Sequence, residues 1–169
     1  SPLQWECKGD GLATTEYDAW ETTPSSYNCV LKMPSPSSER NFFEVLKMKK
    51  KINAGAKFFQ TQAVYDIDHL RKFRELTKDM DCKILAGIVP LKSPGMARFM
   101  TANVPGIFVP DDQIERLKAA GKGNYVQEGI KMAGEFIRQI KEENLCDGVH
   151  IMAIGAEENV PLILDAAGL

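Results

Sequence analysis

From about Tyr27 onward, short runs rich in β-branched and aromatic residues alternate with longer stretches whose apolar positions recur at helical spacing. Residues 27–31 predict a first strand. The Pro- and Ser-rich run 33–38 follows as a loop, with Ser38 placed to cap a helix in which Phe42, Val45, Leu46, Met48 and Ile52 recur at near-helical spacing. Gly55 marks the end of that helix. Residues 57–61 predict a second strand, and Asp66 opens a helix with Leu70, Phe73 and Leu76 on one side. Residues 83–88 form a third strand closed by Pro90, followed by a short helix over 96–103. A brief extended piece, 106–110, ends at Pro110, which is suited to the first position of another helix. Helices over about 111–120 and 124–143 come next. A last strand spans 147–153, and a closing helix spans 156–167 with Gly168 after it.

This succession of βα units implies an α/β fold with a parallel sheet. It amounts to about four strands, each followed by at least one helix. A complete eight-stranded (β/α) barrel takes roughly 250 residues, so a chain of 169 suits about half of one. The expected organisation is an irregular N-terminal segment, 1–26, followed by a partial (β/α) barrel domain, 27–169. Trp5, Tyr17 and Trp20 stand in the first segment among Gly, Thr, Ser and Asp with no helical or strand period, and no role follows for them. The first residue is Ser1 rather than Met, as expected of a processed chain or a fragment.

Charge narrows the partners. Lys and Arg number 21 against 23 Asp and Glu, so there is no basic field to hold a nucleic acid or a membrane surface. No apolar run approaches the roughly 20 residues that cross a bilayer, and no export signal opens the chain. The expectation is therefore a cytoplasmic protein with small neutral or anionic ligands. Cys7, Cys29, Cys82 and Cys146 are scattered, with no paired spacing and no nearby His. They are expected to be reduced thiols, and no metal site is expected.

In a parallel α/β sheet the ligand lies beyond the C-terminal ends of the strands. That points to Met33-Pro34, Thr61-Gln62, Val89-Pro90 and Gly155-Ala156. Gln62 carries an amide that both donates and accepts, which suits a pterin or flavin ring and equally suits loop backbone groups. Lys47, Lys49, Lys50 and Lys51 cluster in the first helix. They form either a solvated face that complements the helix C-terminus or a contact for a dinucleotide phosphate, and spacing does not separate the two. His150, inside a strand, is expected to be a hydrogen-bonded core residue, and His69 a surface one. The Gly155-Ala156-Glu157 turn either offers N–H groups to an anion or simply joins strand to helix. The sequence lacks G-x-G-x-x-G, P-loop and G-x-S-x-G motifs.

Lys51-Ile52-Asn53-Ala54-Gly55-Ala56-Lys57-Phe58-Phe59-Gln60-Thr61-Gln62, with Tyr65-Asp66 after it, resembles the methylenetetrahydrofolate reductase family. So do Gly87-Ile88-Val89-Pro90 and the ending Gly148-Val149-His150-Ile151-Met152-Ala153-Ile154-Gly155-Ala156-Glu157-Glu158-Asn159-Val160, the latter nearest to forms from anaerobic one-carbon metabolism. The resemblance runs over about 39–169. It implies the C-terminal half of a TIM (β/α)8 barrel that binds FAD and reduces 5,10-methylenetetrahydrofolate to 5-methyltetrahydrofolate, with NAD(P)H or another reductant as electron donor. Gln62 would then correspond to the glutamine that bonds the pterin. Phe99, or Met100 one residue on, would be the aromatic position packed on the folate. Lys51 and Lys50, with Lys47 a weaker match, would lie beside the FAD phosphates.

Two departures accompany the resemblance. The family's general acid, a glutamate at the end of the first barrel strand, has no counterpart here, so the catalytic residue is unassigned and protonation of the substrate would be impaired. Ala156 stands where some members carry an arginine for the folate tail. A Gly9-Asp10 pair is like one near the family's flavin, but its surroundings do not match. The expected state is a homo-oligomer or an assembly with the missing N-terminal half. The competing expectation is a non-catalytic half-barrel that binds folate or flavin, or serves in assembly.

Overall fold

The computed structural model describes the backbone of Glu6–Lys8, Asn28–Leu31 and residues 38–169, with side chains from Val45 onward. Five strands form one sheet in the order β1 (Glu6–Lys8), β2 (Asn28–Leu31), β3 (Phe58–Ala63), β4 (Lys83–Ile88) and β5 (Gly148–Ile151). β2 to β5 are parallel neighbours in chain order. Each crossover therefore advances the sheet by one strand in the same direction. β1 pairs antiparallel with β2, Cys7 opposite Cys29. It lies in the segment for which the sequence has no periodic signal.

The helices are α1 (Ser38–Asn53), α2 (Ile67–Thr77), α3 (Pro94–Asn103), α4 (Asp111–Ala120), α5 (Tyr125–Glu142) and α6 (Val160–Ala167). Their ends follow local chemistry. The Asp66 carboxylate accepts from the backbone N–H groups of Asp68 and His69 at the start of α2, and the Ser93 hydroxyl accepts from Met96 at the start of α3. Gly168 takes a left-handed conformation, φ 72°, after α6. Residues 106–110 form no strand, and Pro110 is the residue before α4 rather than its first. The predicted closing helix begins as a 3-10 turn, Glu157–Asn159. No described helix is long and apolar enough to cross a membrane.

Alternation along the strands puts Phe59, Ile84, Ala86 and Ile88 in one core with Met48 of α1, Leu70 and Phe73 of α2, Ile137 and Ile140 of α5, and Ile163 of α6. Val149 and Ile151 pack against the same core. These helices thus cover one face of the sheet, and Gln60, Leu85, Gly87, Gly148 and His150 fall on the other. A second core, including Ala63, Tyr65, Val89, Leu91, Ala97, Met100, Ile114 and Leu117, seats α3 and α4 over the segments leaving β3 and β4. The C-terminal ends of the two central strands are therefore held from two sides.

Candidate functional site

Gln62 lies one residue before the end of β3, at an irregularity. Gln60 pairs with Leu85 but Ala63 pairs with Gly87, so β3 carries an extra residue between them. The Thr61 side chain replaces a ladder bond there. Its hydroxyl accepts from the Gly87 N–H at 2.8 Å and donates to the Gln62 carbonyl at 2.7 Å. The bulge also leans on β4, since a Cβ at Gly87 would stand 2.4 Å from the Thr61 carbonyl oxygen and 2.6 Å from that of Gln62. Only glycine leaves room for this approach. Held there, Gln62 has its Oε1 buried with no hydrogen-bond partner among the described residues. A buried amide oxygen left without a donor costs free energy, and a ligand N–H would recover it.

Beyond the bulge, the Tyr65 hydroxyl donates to the Val89 carbonyl at 2.8 Å and approaches Met100 Sδ at 3.5 Å. Burial pushes its pKa up, so it stays a neutral donor. The two positions expected to pack on a folate differ in the fold: Met100 belongs to the core beside Tyr65, whereas Phe99 is 61% exposed on α3.

His150 is exposed, with its side chain on the face that the helices leave bare. That corrects the expectation of a hydrogen-bonded core residue: alternation places Val149 and Ile151, not His150, against the helices. His69 is half-buried rather than on the surface; its Nε2 has no partner among the described residues, and burial lowers its pKa.

The turn after β5 is built from Ile154 and Gly155, both with positive φ, 45° and 68°. It is braced on two sides: Lys92 Nζ donates to the Ile154 carbonyl at 2.6 Å, and the Glu157 carboxylate accepts from the Gly155 N–H at 2.9 Å. The chain's own carboxylate thus occupies the donor that the turn would offer to an external anion. The Gly155 N–H, with other backbone donors and Lys92, lowers the pKa of Glu157. A lowered carboxyl pKa means that the brace is present above the ordinary glutamate value and lost as pH falls through the folded value. The Gly155 amide shift in NMR is expected to titrate with a midpoint below the ordinary glutamate value, and to stop titrating in Glu157→Ala.

Lys47, Lys50 and Lys51 recur at i, i+3 and i+4 on α1, with Lys50 and Lys51 in its last turn. Since α1 returns from the end of β2 to the start of β3, these lysines sit toward the end of the sheet opposite Gln62. The fold does not bring them together with Gln62, and any one ligand touching both must be long. A cavity of about 200 Å³ lies elsewhere, between α4, α5 and the segments leaving β3 and β4, and Tyr65, Gln113, Arg116, Glu135 and Gln139 are among its lining residues. Its cation is already neutralised, as Arg116 is bonded to Glu128 at 2.5 Å and to Glu135 at 2.6 Å. It therefore offers a charged ligand little.

Residues 29–168 match the family model for methylenetetrahydrofolate reductase. The chain is 29% identical over 133 residues to methylenetetrahydrofolate reductase 2 of Schizosaccharomyces pombe, a match covering 71% of this chain and 20% of that protein. In structure it is similar to a Clostridium thermocellum protein that binds two copies of 5-methyl-5,6,7,8-tetrahydrofolic acid. That likeness has a TM-score of 0.57 and 22% identity, and covers 92% of this chain and 59% of the other. The chain thus spans about a fifth of the yeast relative's length.

Proposed function

The chain belongs to the methylenetetrahydrofolate reductase family, and from that premise we propose that it is the folate-holding part, roughly the C-terminal half, of a (β/α)8-barrel flavoenzyme that reduces 5,10-methylenetetrahydrofolate to 5-methyltetrahydrofolate. The observation that carries this reading is the Oε1 of Gln62 beside the β3 bulge, buried with no partner among the described residues. A pterin offers an amine and ring N–H groups, and Gln62 can accept from one while its own NH2 donates to a carbonyl or ring nitrogen. Phe99, exposed on α3, supplies an apolar surface for the ring or its aryl linker.

The family's flavin fits the donor set in chemical terms. Lys50 and Lys51, with Lys47 one turn earlier, present ammonium groups suited to the phosphates of FAD. Their distance along the fold from Gln62 suits an elongated dinucleotide rather than a single phosphate. When bound, the flavin supplies the hydride, taken from NAD(P)H or another reductant. The chain's own contribution is to position the folate and hold its polar edge. A second reading, a folate-binding half-barrel without catalysis, is supported by the likeness to a protein that binds 5-methyl-5,6,7,8-tetrahydrofolic acid.

Three measurements on the chain joined to its N-terminal half separate these readings: calorimetry with 5-methyltetrahydrofolate, visible absorbance of retained flavin, and reduction of methylenetetrahydrofolate after chemical reduction of the flavin. Folate binding with flavin and turnover supports the enzyme. Folate binding without flavin supports the second reading, and binding of neither sinks both. A Lys50→Glu, Lys51→Glu variant is expected to lose FAD affinity by roughly tenfold or more. It should leave folate affinity unchanged and lower FMN affinity less than FAD affinity, because FMN keeps only one of the two phosphates.

A further inference from the structure

We propose that His150 is a second polar anchor of the folate ring, facing Gln62 from the opposite side of β4; this inference rests on the folate reading above. Three placements bring the two residues together. The β3 bulge leans over Gly87, so that the Thr61 and Gln62 carbonyls occupy the space where a Gly87 side chain would be. His150 is the register partner of Gly87 on the other flank. Paired residues point to the same face of a sheet, so the imidazole rises from the face on which the bulge folds over.

Undistorted, β3 and β5 would lie two interstrand spacings apart, roughly 10 Å. The lean of the bulge onto β4 shortens the gap. A fused two-ring heterocycle is of that width, so a pterin edge-on to Gln62 meets the imidazole with its far side. Both groups are unengaged. Among the described residues, Gln62 Oε1 has no partner, and the exposed His150 side chain makes no hydrogen bond or ion pair. Around it, Gly87 and Gly148 contribute no side chains on this face, and Leu85 and Gln60 are uncharged. Neutral imidazole offers one donor and one acceptor, which matches a ring edge where the two alternate.

The chain has only two histidines, so their imidazole signals can be followed individually by NMR as 5-methyltetrahydrofolate is added. The His150 ring resonances are expected to move with the binding isotherm while those of His69, in the first turn of α2 with its Nε2 buried, stay in place. His150→Ala is expected to weaken folate binding roughly tenfold. Its melting temperature should be unchanged because the side chain is exposed, and His150→Gln should recover part of the affinity. If the wild-type protein binds folate in a Gln62-dependent manner but the His150 resonances do not move and His150→Ala binds equally well, this inference is overturned and the folate reading stands. If the wild-type protein binds no folate, both fall.

Discussion

Replacing Gln62 by leucine is expected to weaken binding of 5-methyltetrahydrofolate roughly ten- to a hundredfold while leaving the melting temperature unchanged or slightly higher. The two halves of this result come from one atom. Gln62 Oε1 is already buried without a donor, so the protein without ligand bears the desolvation cost, typically about 1–3 kcal/mol. Leucine removes that cost and keeps most of the side-chain volume. It also removes both ligand hydrogen bonds, and a folate whose amine then faces an apolar group loses affinity by a similar amount. Isothermal calorimetry and a thermal melt on the same preparation check both halves. Equal affinity in the variant would remove the main support for the folate reading, whereas a large drop in melting temperature would mean that the amide is structural.

Gly87→Ala is expected to destabilise the fold by about 3 kcal/mol, a fall of roughly 6–12 °C in melting temperature for a chain of this size. The new methyl would meet two backbone oxygens, at 2.4 and 2.6 Å, and neither is the end of a flexible side chain that could swing aside. The strand must therefore move, and with it go the Thr61 hydroxyl that accepts from Gly87 N–H and the Gly87 carbonyl that accepts from Val64 N–H at 3.0 Å. Because the same bulge positions Gln62, folate affinity should fall together with stability. A variant of normal stability would show that β3 and β4 can separate locally without cost.

Much of this architecture is visible in one dimension. The runs around Phe59, Ile84 and Val149 are strands because alternate residues there are buried under helices. α2 and α5 have apolar stripes at a period near 3.6, while Asp66 marks the start of α2 and Gly168 the end of α6. Gln62 stands out because it ends a strand in a parallel sheet. β1 is not visible. Three residues, Glu6–Lys8, are too few for a period, and their partner strand lies beyond a segment with neither helical nor strand period. Phe99 and Met100 are adjacent in the chain and equally apolar, and only packing against Tyr65 separates a buried residue from a presented one.

His150 shows the same limit. A histidine in an apolar strand looks like core until it is known which face the helices cover, and here they cover the faces of Val149 and Ile151. Likewise the Gly155 turn looks open to an anion in sequence, while in the fold the carboxylate of Glu157 already accepts its N–H. Sequence alone determined the order of βα units, the family, and Gln62 as a candidate, because strand and helix periods and a residue's place at a strand end are local properties of the chain. Tertiary structure decided the bulge that leaves Gln62 without a partner, the exposure of His150 and Phe99, and the separation of Gln62 from the α1 lysines. Each of these depends on which segments, distant in sequence, come to lie against one another.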